Sequence, residues 1–508
     1  MSLVVEPLFF IKTIIVMNAK CLPKQATTRL RESWSWLPIT LILLVAATLY
    51  IYNLDGESCW IDELLSIDDA KSGKGLPPRN LIRPLYYMLL SAWMVVDSSD
   101  FWLRGLSVLF GLGSIFLVYR LACRTCGRTE GVIAASLMTF SPLFVNHTQE
   151  IRMYVMSACL GLAGTLAFIR AIERPSLANC GWWASLRFLA MLTFPLNVTL
   201  LLPDALFVLV TFRHHRKLLL QFGACFALIG LFWIPSILSV MSALSPSSAY
   251  VKHHSEKDAP GLAHIFRMLK FLTVWPFRVQ TNPILANFYK GFTALLAALA
   301  GIALLRKRHT NRLLWIAAWA ILPSAQVFVF SQVSTSLWVQ RYLLFVCPYV
   351  FILLAAGLTR IWHQWRVAAI AIIGCYVVAV TGGLVHYYSV QERTDYREAI
   401  EVIETNEQPG DAIAWSIHHG RPRVPLNHYY QGSATIQIKS RLPGKDLKAS
   451  DVDIWLSDLS PIESRLWIVY SKLSEEELDL FEAGIESKFD IQSHQKFYGG
   501  LEVFLVTS

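Results

Sequence analysis

About eleven apolar runs, each near the length needed to cross a bilayer, set the first constraint on this chain. They fall near residues 36–54, 101–121, 130–146, 153–172, 181–198, 199–212, 218–240, 288–305, 313–331, 342–360 and 367–387. A helical span needs roughly 20 apolar residues, with about 17–25 as the working range. Hydrocarbon offers no water to the backbone, so runs of this kind fold as helices. Of the 508 residues 54% are apolar and only 16% charged, against roughly 25% charged in soluble proteins. The expected fold class is an α-helical polytopic membrane protein with about eleven transmembrane helices. The short arms at 181–212, bracketed by Pro195 and Pro203, also suit a re-entrant hairpin.

A net charge of +9 invites a nucleic-acid reading, but the distribution of charge excludes it. Lys and Arg sit in short clusters between the apolar runs, as topology requires. The clusters are Lys20, Lys24, Arg29 and Arg31; Arg120, Arg124 and Arg128; Arg170 and Arg174; Arg213, Arg216 and Lys217; Arg306, Lys307, Arg308 and Arg312; Arg360 and Arg366. With the N-terminus in the cytoplasm and eleven spans, every cluster falls on the cytoplasmic side. Residues 1–34 then form a cytoplasmic extension whose apolar stretch, interrupted at Lys12, is too short to span; Met17 is a second candidate start. Cys123 and Cys126 make a lone CxxC, read as two thiols at a helix end, and no disulfide framework is expected.

The opposite face collects the loop 55–100, the corner at His147–Arg152, the loop 241–287, the corner at Trp338–Tyr342 and the tail after 387. Within the first loop, the run from Arg83 to Val96 is too short to span and reads as an aromatic-rich interfacial helix. The tail, 388–508, is expected to form a small extracytoplasmic α/β domain. Its helices are read near 395–403 and 474–485 and its strands near 411–415, 466–470 and 501–506.

The chemistry-bearing residues lie on that face. Asp62 and Glu63 follow the first span. Adjacent carboxylates beside a bilayer are costly unless solvated or used. A carboxylate can deprotonate an acceptor, although two acids also suit a helix N-terminus. Glu150 can orient an acceptor, and Arg152 offers the fixed donor fork that suits phosphate; a local Glu–Arg pair is the plainer alternative. Arg341 and Tyr342 can face a phosphate head group or simply anchor a helix at the interface. Arg79, Arg83, Tyr86 and Tyr87 can line the way in for a lipid phosphate or snorkel. His253, His254, Glu256 and Asp258 read as a solvated loop rather than a metal site.

In this order the motifs resemble the membrane-embedded GT-C glycosyltransferases of family 39, which include protein O-mannosyltransferases and aminoarabinose transferases of lipid A. The resemblance rests on Asp62-Glu63, Pro84-Leu85-Tyr86-Tyr87, Phe101-Trp102-Leu103-Arg104, Cys126-Gly127-Arg128, Ser141-Pro142, Gln149-Glu150-Ile151-Arg152-Met153-Tyr154 and Arg341-Tyr342. It covers most of residues 35–360. It implies inverting transfer of a sugar from a polyprenyl-phosphate donor to an extracytoplasmic glycan, lipid or protein, in the bacterial cytoplasmic membrane. It maps the general base onto Asp62, with Glu63 beside it, and makes Arg152 and Arg341 candidates for the lipid phosphate. From the residues themselves, Arg83, Glu150 and Tyr342 join them as candidate contacts to donor phosphate or acceptor. No cofactor, no metal and no nucleic-acid partner are expected. Transfer of a whole oligosaccharide from a lipid diphosphate is the alternative, with a divalent metal possible in that version. Transport is the rival from another class; it is disfavoured because charges sit at span ends and no repeat is visible.

Overall fold

The computed structural model describes residues 36–77, 80–245, 259–274, 283–305, 310–417, 421–439, 447–459, 465–471 and 474–507. The N-terminal extension, Arg79, the His253–Asp258 cluster and the Arg306–Arg308 cluster therefore lie outside the described residues. Helices run in the order α1 (Leu37–Ile51), α2 (Ile61–Lys71), α3 (Pro84–Trp93), α4 (Asp100–Thr125), α5 (Arg128–Thr139), α6 (Pro142–Thr148), α7 (Tyr154–Glu173) and α8 (Leu177–Thr193). A 3-10 turn, Pro195–Leu200, leads into α9 (Leu201–Phe212), then α10 (Arg216–Ala243), α11 (Leu262–Val274), α12 (Pro283–Leu304) and α13 (Thr310–Val333). A second 3-10 turn, Gln340–Val346, opens α14 (Cys347–Gln364), and α15 (Arg366–Ser389) follows.

Each expected span coincides with helix. Among the described residues, eight helical segments are long and apolar enough to cross a membrane. The expected span at 130–146 is not continuous. It breaks at Phe140 and Ser141 into α5 and α6, where Pro142 is accepted at a helix start but not inside one. The arms at 181–212 resolve into the 17 residues of α8 and the segment Pro195–Phe212.

Contacts divide the chain into two compact units. One comprises Met1–Leu49, Leu109–Thr148 and Met153–Gly383; the other comprises Tyr50–Val108, Gln149–Arg152 and Leu384–Ser508. In the first unit, Gln340–Gln364 is the central element: 94% of its most apolar window is buried, against 17% for α10. It gets close to α12 at Gly357, where an added Cβ would lie 2.1 Å from the carbonyl oxygen of Leu299; small residues permit such approaches between membrane helices.

An ion pair with no exposure fastens the same unit. Asp204 of α9 accepts from Arg187 of α8 on both oxygens, at 2.8 and 3.0 Å. The indoles of Trp183 and Trp319 add bonds of 2.9 and 2.8 Å. Arg187 also donates to the Gly161 carbonyl and to the Thr165 hydroxyl of α7, at 2.8 and 2.9 Å. The charges are thus paired and hydrogen-bonded, as burial demands.

In the second unit, the tail carries α16 (Tyr396–Asn406), β1 (Ala412–Ser416), α17 (Val424–Tyr429), β2 (Thr435–Ile438), α18 (Ala449–Ser457), β3 (Arg465–Ser471), α19 (Glu475–Glu486), β4 (Asp490–Phe497) and β5 (Leu501–Thr507). The sheet order is β2-β1-β3-β5-β4; β1 is parallel to β2 and β3, while β5 is antiparallel to β3 and β4. Alternation at period two sends Ala414, Leu466, Ile468, Tyr470, Phe504 and Val506 into a core with Trp455 and Phe481. Asp411, just before β1, accepts from Arg465 on both oxygens at 3.0 and 2.8 Å and from the Trp467 indole at 3.0 Å. Burial opposes its charge, but the Arg465 guanidinium, the Gln408 amide and the Trp467 indole together hold the carboxyl below the usual range.

Candidate active site

Asp62 and Glu63 occupy the first turn of α2, where the helix dipole favours acids. Neighbours in sequence, they meet different surroundings. The Glu63 carboxylate has no exposure. One oxygen accepts from Arg104 Nε at 3.1 Å and from the Ile151 amide at 2.8 Å. The other accepts from a second Arg104 nitrogen at 3.1 Å, from Arg393 at 3.2 Å, and from the Trp60 amide at 3.2 Å. The last bond is the reach-back of a third-position glutamate to the residue ahead of its helix. Two guanidiniums and two amides thus hold both oxygens. The Asp62 side chain, by contrast, is 25% exposed, with an Arg152 nitrogen 3.8 Å from its carboxylate.

Arg104, 1% exposed, extends the clamp into irregular backbone. It donates to the carbonyls of Leu54 and Glu57 at 2.8 and 2.9 Å. Non-helical backbone at such a place persists only when its polar groups find partners. Asn53, at a positive φ of 53°, turns the chain out of α1, a conformation that Asn tolerates better than most residues.

The segment Gln149–Arg152 belongs to this unit as well. Gln149 donates to the carbonyls of Tyr50 and Tyr52 at the end of α1, each at 2.9 Å, and accepts from the Tyr387 hydroxyl at 2.7 Å. The Glu150 carbonyl accepts from Ser107 at 2.5 Å. Arg152 donates to the Asp62 carbonyl at 2.9 Å and to the Ser66 hydroxyl at 3.0 Å. Both of these partners lie on α2. Tyr86 of α3 is buried, and its hydroxyl has no hydrogen-bond partner among the described residues. Arg83 stands at the N-cap of α3.

The tail supplies residues that sequence reasoning missed. Arg393 reaches Glu63, lies 3.6 Å from the Glu57 carboxylate and donates to the Gln149 carbonyl at 3.3 Å. Burial pushes the Glu57 carboxyl up, with Arg393 opposing. Arg397 bonds Asp55 and Asp100, each at 2.7 Å. Asp100 also receives the Tyr429 hydroxyl at 2.6 Å and meets His428 at 2.7 Å. Arg421 pairs with Asp68 and Asp69 of α2 at 3.2 and 2.6 Å. Cys59, Asp100 and His428 place their ligand atoms within 4.8 Å of one another, a grouping with metal-site chemistry. That donor set fits a cation poorly, because Arg397 already donates to Asp100 and Arg104 lies 3.6 Å from the Cys59 sulfur.

Of the seven residues singled out in the sequence, Asp62, Glu63, Arg83, Glu150 and Arg152 fall in this unit. Arg341 and Tyr342 belong to the other. There the Arg341 guanidinium lies 5.7 Å from the Tyr342 ring centre, and that ring packs against Phe194 at 5.7 Å and Tyr154 at 6.1 Å.

Residues 83–239 match the family described as Dolichyl-phosphate-mannose-protein mannosyltransferase. Among solved structures, the chain is similar to ArnT from Cupriavidus metallidurans in the apo state, at TM-score 0.57 and 13% identity, covering 94% of this chain and 98% of that one. The same protein bound to undecaprenyl phosphate gives 0.55 at 14% identity, with 92% and 97% covered. AglB from Archaeoglobus fulgidus, an oligosaccharyltransferase in complex with an inhibitory peptide and a dolichol-phosphate, gives 0.54 at 12% identity, with 87% and 70% covered. Among curated proteins, the Proton-coupled folate transporter of Rattus norvegicus is 32% identical over 110 residues, which is 20% of this chain. The chain spans about a quarter of the length of the curated relatives it matches, 24% in that case.

Proposed function

We propose that this chain, whose fold is similar to those of ArnT and AglB, transfers a sugar from a polyprenyl-phosphate donor to an extracytoplasmic glycan, lipid or protein. One observation carries the proposal: of two adjacent carboxylates, Glu63 is saturated with donors while Asp62, beside it, reaches solvent. Asp62 is the general base. It takes the proton from the acceptor hydroxyl or amine as that atom bonds to the anomeric carbon. The bond from that carbon to the phosphate oxygen breaks on the opposite side, so the configuration inverts. The lipid phosphate leaves with the bonding electrons and needs no proton. Arg152 stabilises the charge that develops on it. Glu63 is a positioning residue, holding the first turn of α2 and the Gln149–Arg152 segment in place. Arg83, Glu150, Arg341 and Tyr342 are proposed contacts to donor phosphate or acceptor. The reaction is proposed to be metal-independent and to occur at the outer face of the bacterial cytoplasmic membrane, with the tail extracytoplasmic.

Asp62→Asn is expected to lower transfer by about 10²–10⁴-fold, the usual contribution of a general base, while melting temperature and donor binding stay at wild-type values. Unchanged turnover in the purified variant removes the assignment. Mass comparison of surface glycans with and without the gene identifies sugar and acceptor together. The likeness to an oligosaccharyltransferase fold supports a second reading, transfer of a whole oligosaccharide from a lipid diphosphate. Supplying single-sugar and oligosaccharide donors to the same preparation separates the two, and loss of activity in EDTA favours the second. The local match to a transporter makes one control necessary: labelled substrate crossing proteoliposomes without covalent transfer defeats both readings.

A further inference from the structure

A cavity of about 1240 Å³ in the first unit lies among the ends of its helices. Four arginines line it: Arg120 and Arg124 in the last turns of α4, Arg128 at the start of α5, and Arg170 near the end of α7. Gly127 makes the turn that delivers Arg128, at a φ of +151° that a side chain rarely adopts. Among the described residues, no acidic residue lines the cavity. Arg124 is paired with Glu173, whereas among the described residues no carboxylate pairs with Arg120 or Arg170. The Arg120 guanidinium instead lies 5.7 Å from the Trp36 ring centre. Beyond the arginines, Leu117, Leu166, Leu186 and Trp182 make the walls apolar.

We propose that this cavity binds an anionic glycerophospholipid, with its phosphate among Arg120, Arg128 and Arg170 and its acyl chains along the leucines and Trp182. Basic clusters at span ends alone need no ligand, since topology explains them. What topology does not explain is a cavity larger than the roughly 300–1,000 Å³ of drug-sized ligand sites, lined by arginines and by apolar side chains together. Basic pockets between membrane helices suit acidic lipid head groups. The protein's own N-terminal segment is the wrong charge for it. Residues 1–35 carry Lys12, Lys20, Lys24, Arg29 and Arg31 against Glu6 and Glu32. The bound lipid braces the ends of α4, α5, α7 and α8 from the face that collects the basic clusters.

The test is native mass spectrometry of the full-length protein in zwitterionic detergent, with phosphatidylglycerol and phosphatidylcholine supplied at equal concentration. Retention of phosphatidylglycerol over phosphatidylcholine is expected. Each unpaired cation removed weakens it about fivefold, so R120Q/R170Q weakens it roughly thirtyfold, whereas R120K/R170K retains most of it. Ala178→Trp, which fills the cavity wall with the charges intact, also expels the lipid and keeps the proposal falsifiable if R120Q/R170Q does not fold. Equal retention of the two lipids, or unchanged retention in Ala178→Trp, overturns the proposal. Full displacement by soluble glycerol phosphate, or by a polyprenyl phosphate, overturns it as well. Phosphatidylglycerol retained only after removal of residues 1–30 assigns the cavity to the N-terminal segment instead.

Discussion

Two buried arginine–carboxylate pairs, one in each unit, do opposite jobs. Arg187 and Asp204 both have no exposure, and every partner of Asp204 is a side chain on a regular helix. Arg104 and Glu63 are equally buried, but their partners are mostly backbone groups of irregular segments, at 54–60 and 151. The first pair joins helices whose backbones are already satisfied. The second supplies hydrogen bonds that irregular backbone lacks, and so fixes the ground on which Asp62 stands. Equal burial and equal charge therefore do not mean equal function; the partners decide.

Breaking each pair on one side is the largest stability effect expected. Arg187→Met leaves the buried Asp204 with two indoles and no cation and costs about 3–5 kcal/mol. Arg104→Met leaves Glu63 paired with Arg393 but takes the donor from the Leu54 and Glu57 carbonyls. Both are read as lower melting temperatures in detergent. Converting both partners sharpens the contrast. With Asp204→Asn added to Arg187→Met, an amide oxygen still serves an indole, and most of the lost stability returns. With Glu63→Gln added to Arg104→Met, the Leu54 and Glu57 carbonyls still lack a donor, each worth about 1–3 kcal/mol, so transfer does not return. Equal recovery in the two double variants refutes the contrast.

A smaller effect is expected in the tail. The depressed Asp411 carboxyl contributes stability that is complete above its unfolded value of about 3.9 and is lost as pH falls through its lower folded value. Asp411→Asn costs about 1–3 kcal/mol near neutrality and removes that share of the acid sensitivity. Hydrogen exchange of β1 and β3 in the full-length protein, followed against pH, reads both. The smallest effect belongs to Tyr86. Its buried hydroxyl has no partner among the described residues, so Tyr86→Phe leaves stability unchanged or raises it by about 1 kcal/mol. A fall in melting temperature instead reveals a hydrogen bond.

Hydropathy located the apolar helices, eight of them long enough to span among the described residues, because helix formation in hydrocarbon is a local demand of the backbone. It missed the break at Phe140–Ser141, where Pro142 was the available signal. Asp62, Glu63, Glu150 and Arg152 were legible as candidates, and five of the tail's elements were legible as local patterns. Short β2, α17 and α18 carry too few residues to show a period. Arg104, Arg187 and Asp204 had a signal that went unused: an ionisable residue inside an apolar run is rarely idle. Arg393 and Arg397 had none, since nothing local says which carboxylate a basic residue after the last span will meet.

The sequence by itself determined that this is a chain of membrane helices with a charged face and a small α/β tail, since each of these follows from nearest neighbours and solvent. The family resemblance already mapped the base onto Asp62, but nothing in the residues themselves said how the surroundings of Asp62 and Glu63 differ. Only the tertiary structure shows that difference. The donors that saturate Glu63 come from 41, 88 and 330 residues away in the chain, and contacts at such separations exist only once the whole unit has folded.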